Sequence, residues 1–154
     1  MEKFGVAHLA QIAMRSEPRH SAEMCSQLLF GDPYQVIEET EKWLKIKTFD
    51  CNYEGWIDAQ LFNSIHPEDI EGYLSVEKYF VTDYLLFIRE FESNVTFPIY
   101  MGSSFPYPNE GMLILGNAVF MIDLPEPQNL PEHPSLSPNQ IKLLRFASGF
   151  LRSP

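Results

Sequence analysis

The fold is decided by Tyr34–Asp58, YQVIEETEKWLKIKTFDCNYEGWID. YQVIEE and WLKIKTF are two short runs rich in β-branched and aromatic residues, separated by the polar Thr40–Glu41–Lys42. They read as a hairpin. In the second run Trp43, Leu44, Ile46 and Phe49 are interleaved with Lys45 and Lys47, a mixed alternation with the lysines on a solvated face. DCNYEGWIDAQLF then places Asn52 and Gly55, both turn-forming residues, around another short strand. Working outward, KFGVAHLA (3–10) and CSQLLFGDPY (25–34) read as further short strands. MRSEPRHSAEM (14–24) reads as a turn-rich loop between them, and Gly31–Asp32–Pro33 as a turn. Five strands in about 60 residues imply a small barrel.

The second half is also strand-rich. YFVTDYLLFIREFE (79–92) reads as one long apolar strand. TFPIYMGSSFPYPNEGMLIL (96–115) is interrupted by Pro and Gly, and NAVFMID (117–123) reads as a last strand. The expected layout is mainly β: a first SH3-like domain over 1–62, a linker over 63–74 with a helical turn after Pro67, and a second SH3-like domain over 75–124. A Pro-rich linker over 125–136 follows, because LPEPQNLPEHPSLSP holds five prolines in fifteen residues and cannot pack as an element. Over 137–154, Ser137 reads as an N-cap, Pro138 as the first helical residue and Gln140 as the capping-box partner. Leu143, Leu144, Ala147, Phe150 and Leu151 then form one apolar stripe of a short C-terminal helix.

Composition narrows the function. Hydrophobic residues are 45% and aromatics 14% of the 154 residues, enough for a packed core. Eleven basic against 21 acidic residues leave a net charge of −10, which disfavours nucleic acid because phosphate contacts need clustered Lys and Arg. No run approaches the ~20 apolar residues of a membrane span, and no signal-peptide core is visible, so a cytoplasmic location is expected. A chain from which a signal had been removed, and which then worked in the periplasm or cell envelope, would read the same way. The two cysteines, Cys25 and Cys51, are too few for a disulfide framework and read as reduced, partly buried thiols.

Catalytic chemistry is sparse. His8, His20, His66 and His133 show no metal-ligand spacing, and no Gly-rich phosphate loop or G-x-S-x-G is present. No metal or cofactor is expected. Cys51 in FDCNYEGW resembles the approach to a nucleophile, but it falls in a turn without a helix N-terminus or a nearby His and reads as a turn residue. His66–Asp69, HPED, could offer a ligand pair and reads instead as a solvated, capped segment. Asn94–Thr96 fits a glycosylation triplet and reads as a strand-edge turn.

MRSEP (14–18), SAEMCSQLLFGD (21–32), YQVIEETEKWLKIKT (34–48) and YEGWID (53–58) together resemble a bacterial SH3 domain. More particularly, they are similar to the first of two SH3-like domains in NlpC/P60 cysteine peptidases of the dipeptidyl-peptidase VI type, which cleave γ-D-glutamyl bonds to a diamino acid in peptidoglycan peptides. FPIYMGSSFPYPNEGMLILGNAVFMID (97–123) resembles the second such domain. IKLLRFASGFLRSP resembles the helix that leads into the family's catalytic domain. The resemblance implies that the catalytic Cys and its His partners lie outside these residues, so that this chain is not itself the enzyme. It implies that the first domain forms one wall of the substrate cleft and helps select peptides with a free N-terminal L-Ala, in L-Ala-γ-D-Glu-diamino acid peptides. The positions matching an acidic residue and a tyrosine that face the substrate amine are Glu17 and Tyr53. Arg15 is expected to pin the loop, and Trp43 and Trp56 to pack at the barrel core or rim. A reading of another class is a free-standing SH3-like module that binds cell-wall peptides or a protein partner.

Overall fold

A computed structural model describes residues 2–124 of the chain. The expected Pro-rich linker, apart from its neighbours at 123–124, and the expected C-terminal helix lie outside those residues. The described residues are mainly β, in antiparallel sheets. The first half is a sheet of seven strands: β1 (Lys3–Val6), β2 (Gln11–Arg15), β3 (Met24–Leu29), β4 (Pro33–Glu39), β5 (Trp43–Thr48), β6 (Glu54–Asp58) and β7 (Ser64–Ile65). Their spatial order is β3-β2-β6-β5-β4-β1-β7. The β4–β5 hairpin pairs Tyr34 with Thr48 and Glu39 with Leu44, and a bulge falls between Val36 and Glu38. That bulge turns the strand by one residue and tightens the local twist. Ile12 and Met14, Leu44 and Ile46, and Ile57 point inward with Leu28, Tyr34 and Ala7 to form the core of this half.

Glycines admit two of its close contacts. A Cβ on Gly5 would lie 2.5 Å from the Tyr34 ring, so Tyr34 lies across the cross-strand Gly5. A Cβ on Gly55 would come within 3.1 Å of Met14.

The second half holds β8 (Lys78–Phe80), β9 (Leu85–Glu90), β10 (Thr96–Tyr100), β11 (Ser104–Pro106), β12 (Met112–Leu115) and β13 (Ala118–Met121). Four strands order as β10-β9-β13-β12, and β11 pairs with β8. The long strand expected over 79–92 is therefore two strands in different sheets. Val81 exchanges backbone bonds with Ser103 and Gly102, and the chain turns through Asp83–Tyr84 before β9 begins. Buried Val81 fills the core while Tyr84 stands in solvent, so the apolar run serves two sites and not one face.

The halves are packed as one compact unit spanning Met1–Ile122. Phe30, fully buried at the end of β3, contacts Phe97, Phe105 and Phe120 edge-on, with ring centroids 6.4, 5.7 and 5.0 Å away. The residue after it, Gly31, has φ +87°, and a Cβ there would lie 1.9 Å from the Ser104 carbonyl oxygen. The segment expected as a linker is part of this junction. Ser64 and Ile65 extend the first sheet, and α1 (Ile70–Ser75) follows. Buried Asn63 donates from Nδ2 to the Leu115 carbonyl at 2.7 Å and accepts from the Asn117 N–H at 3.0 Å. The Tyr73 hydroxyl donates to the Gly31 carbonyl at 2.7 Å. A buried amide satisfied on both its polar ends fixes the two halves in register far better than a solvated connection could.

Candidate functional site

The loop 16–23 joins β2 to β3 and is closed at its base by the Ser16 N–H, which donates to the Glu23 carbonyl at 3.0 Å. Arg15 sits at the β2 bulge, paired across the sheet with Trp56 on β6. Its guanidinium donates to the Ala22 carbonyl at 2.7 Å, so it pins the loop from within. On the other side His20 packs on Trp43, with ring centroids 4.9 Å apart, and its Nε2 lies 3.8 Å from the Asp58 carboxylate. Trp43 is buried and Trp56 half-buried, so both pack at the core or rim. The loop is thereby held at two points, and its outer arc is free to present side chains.

Glu17 is on that arc. Its side chain is 58% exposed, and it accepts from Arg19 Nε at 2.9 Å. A pair this open to water is worth little and exchanges readily for another cation. Tyr53 lies in the turn between β5 and β6. Asn52 there has φ +55°. The Thr48 N–H donates to the Tyr53 carbonyl at 3.0 Å, and the Tyr53 N–H donates to Thr48 Oγ1 at 3.1 Å. Tyr53 is 42% exposed. Its phenol is held above the ordinary tyrosine range, first by a hydrogen bond with the Cys25 side chain, then by slight burial and by the potentials of Cys25, Glu23 and Cys51. The phenol is therefore neutral at physiological pH, and its oxygen can accept a bond from an incoming N–H.

Glu17 and Tyr53 thus both face solvent, but their described partners differ. Glu17 pairs with Arg19, whereas Tyr53 neighbours Cys25, Cys51 and Glu23. Glu23 was not singled out by the sequence, because SAEMC carries no motif. Its proximity to Tyr53 comes from the pairing of β2 with both β3 and β6. Cys51 is exposed and not partly buried as expected; Cys25 is half-buried. The Cys51 sulfur lies 3.4 Å from Thr48 Oγ1, inside the 48–53 turn. Cys25 donates to the Met14 carbonyl at 3.5 Å. Among the described residues no group of three or more His, Cys, Asp or Glu is placed to hold a metal, and no helix is long and apolar enough to cross a membrane.

The sheet order, the pinned loop and the exposed turn together define an SH3-like β module. Residues 14–60 match the model of the bacterial dipeptidyl-peptidase Sh3 domain. No curated protein sequence matches the chain. The fold is similar to that of an NlpC/P60 endopeptidase from Photobacterium damselae subsp. piscicida, with a TM-score of 0.60 and 17% identity. It is also similar to an NlpC/P60 family protein from Bacillus cereus ATCC 10987, with a TM-score of 0.59 and 12% identity. At these identities the likeness is one of fold. It covers 79% of this chain and 31% of the first structure, and 80% of this chain and 54% of the second. The chain therefore spans about a third and about a half of the two structures it matches.

Proposed function

We propose that this chain is the non-catalytic specificity region of an NlpC/P60-type hydrolase of peptidoglycan peptides, and that its first half recognises the free amine of an N-terminal L-Ala. The observation that carries the reading is the match of residues 14–60 to a dipeptidyl-peptidase Sh3 domain, on which Glu17 and Tyr53 are both exposed. An ammonium would displace Arg19 from the Glu17 carboxylate and donate to the Tyr53 phenol oxygen. An acylated amine has no charge with which to displace Arg19, so a blocked peptide gains no bond at Glu17.

The test is a titration of the chain with L-Ala-γ-D-Glu-diamino acid peptide and with its N-acetylated form, read by amide chemical shifts. The free peptide is expected to move the signals of Glu17 and Tyr53, the acetylated one to leave them in place. Glu17→Gln should weaken binding by about 3- to 10-fold, the usual range for losing one charge-assisted bond at an exposed site. Equal shifts with both peptides, or none with either, would remove Glu17 and Tyr53 from the recognition of this amine.

A further inference from the structure

The outer face of the β10-β9-β13-β12 sheet is apolar where a solvated face is ordinarily polar. Side chains alternate across a strand, so residues two apart share a face. Ile88, Ile99, Leu113, Leu115 and Phe120 point inward and are buried. The positions between them point outward. They include Leu85 and Phe87 of β9, Met112 and Ile114 of β12, and Met121 of β13, all exposed. Phe91, two residues past Arg89, continues the β9 row, its N–H donating to the Val119 carbonyl at 2.9 Å. The register joins the rows into one patch. Met121 lies opposite Arg89 on one side and Met112 on the other, Phe87 lies opposite Pro98, and Ile114 opposite Val119. An antiparallel sheet with one solvated face normally alternates apolar with polar residues. Here the outward positions of the four strands hold one charged side chain, Arg89, and no carboxylate.

Area and charge indicate what covers this face. The six exposed apolar residues run from 37% exposed at Leu85 to 66% at Ile114. At about 200 Å² for a fully exposed side chain of this size, they present roughly 600 Å². Two such faces bury about 1,200 Å², the lower end of specific, stable interfaces, before the rim of Thr96, Pro98 and Tyr100 is counted. The chain carries a net charge of −10, so contacts between two copies elsewhere tend to oppose carboxylate to carboxylate. This face opposes none. A flat sheet face also suits another flat sheet face, at the spacing of about 10 Å usual for stacked sheets. Arg89 stands between Phe87 and Phe91 on its own strand, its Nη2 lying 3.7 Å from Met121 Sδ. In an isologous contact, where residue i meets j and j meets i, each arginine can rest on an aromatic ring of the other copy.

We propose that this face binds a second copy of the chain, forming a two-fold homodimer in solution by face-to-face packing of the two four-stranded sheets. Burial of Phe87, Phe91, Ile114 and the paired Met112 and Met121 supplies the affinity. The interface lies wholly in the second half of the chain, and the proposal is independent of the roles given to Glu17 and Tyr53.

Sedimentation equilibrium of the 154-residue chain, 17.8 kDa, tests this over about 1 to 500 μM, the regime in which an interface this small dissociates. The mass is expected to rise with concentration to that of two chains. Raising NaCl from about 0.05 to 0.5 M should tighten the dimer, because screening relieves the repulsion between two acidic chains and leaves apolar contact intact. Phe87→Glu and Ile114→Glu should each weaken dimerisation by about 10-fold or more, since symmetry buries the new carboxylate twice. Both side chains are exposed in the single chain, so both variants should stay folded by circular dichroism. Ile37→Glu, also an exposed apolar position but on β4, should leave the dimer unchanged. A mass of one chain throughout, a dimer that loosens with salt, or a dimer untouched by both Phe87→Glu and Ile114→Glu would each overturn the proposal. So would a monomer whose Phe87 and Ile114 amide signals shift on adding phosphatidylcholine vesicles, which would assign the face to a lipid surface.

Discussion

Tyr34 shows how much one side chain can constrain its surroundings. Its ring is fully buried over Gly5. Its hydroxyl is sealed from water, and the nearby Asn63 backbone does not complete a hydrogen bond with it. Burial pushes the phenol well above its ordinary value. Tyr34→Phe should therefore leave stability unchanged or raise it by up to about 1 kcal/mol, because the buried hydroxyl costs more than it returns. Gly5→Ala should lower stability by about 1–3 kcal/mol by driving a methyl into the ring. Urea midpoints of both variants test the pair, and a Tyr34→Phe variant that is clearly less stable would show that the hydroxyl is bonded. His8 is a second case. Burial lowers its pKa from 6.5, with Glu90 opposing the shift, and its Nδ1 is sealed without a partner. The unfolded chain then binds the proton more readily than the folded one. Stability contributed by neutral His8 is present above about pH 6.5 and is lost as pH falls through and below that value. Comparing His8→Gln with the unmodified chain between pH 7.5 and 5 isolates the effect. The variant should lose less stability over that interval, and parallel curves would show that His8 is not protonation-linked to folding.

Elements were legible where local pattern and tertiary role agree. The β4–β5 hairpin and β6 follow the alternation of Tyr34–Asp58, and the loop 16–23 follows its Pro, Ser and charged residues. The pattern misleads where one apolar stretch serves two neighbours, as Val81 and Ile88 do on either side of the Asp83–Tyr84 turn. It is silent on Phe30. LLFGDP reads as a strand running into a turn, and nothing local says that the last aromatic enters the core of the other half. The Gly31 backbone, at φ +87° against Ser104, lets the turn bring it there. Phe30→Ala should cost about 3–5 kcal/mol, the range for deleting a buried aromatic. Chemical denaturation measures it, and the loss should appear in signals from both halves. A loss below about 1 kcal/mol would mean that the cluster of Phe97, Phe105 and Phe120 collapses into the vacated space. The candidate site was legible only by resemblance: Glu17 and Tyr53 are ordinary residues in loops, and the Cys25–Tyr53 contact depends on strand pairing that no spacing encodes.

At the scale of the whole molecule, the junction decides whether two small β halves behave as one body. Each half alone is near the size at which a single core gives only marginal stability. Here Phe30 crosses in one direction, while Leu115 and Asn117 meet Asn63 from the other half and Tyr73 returns a bond to Gly31. The connection is thus structural, and the loop 16–23 carried on one half inherits rigidity from the other. Both tryptophans of the chain, Trp43 and Trp56, lie in the first sheet, so their fluorescence reports that half, whereas far-UV circular dichroism reports strands in both. The two signals should give coincident unfolding curves. Asn63→Ala should lower the common midpoint by an amount equivalent to about 1–3 kcal/mol, because the Leu115 carbonyl and the Asn117 N–H lose a buried partner. Curves that separate in the unmodified chain would show instead that the halves unfold independently. Separation only in Asn63→Ala would locate their coupling in that one amide.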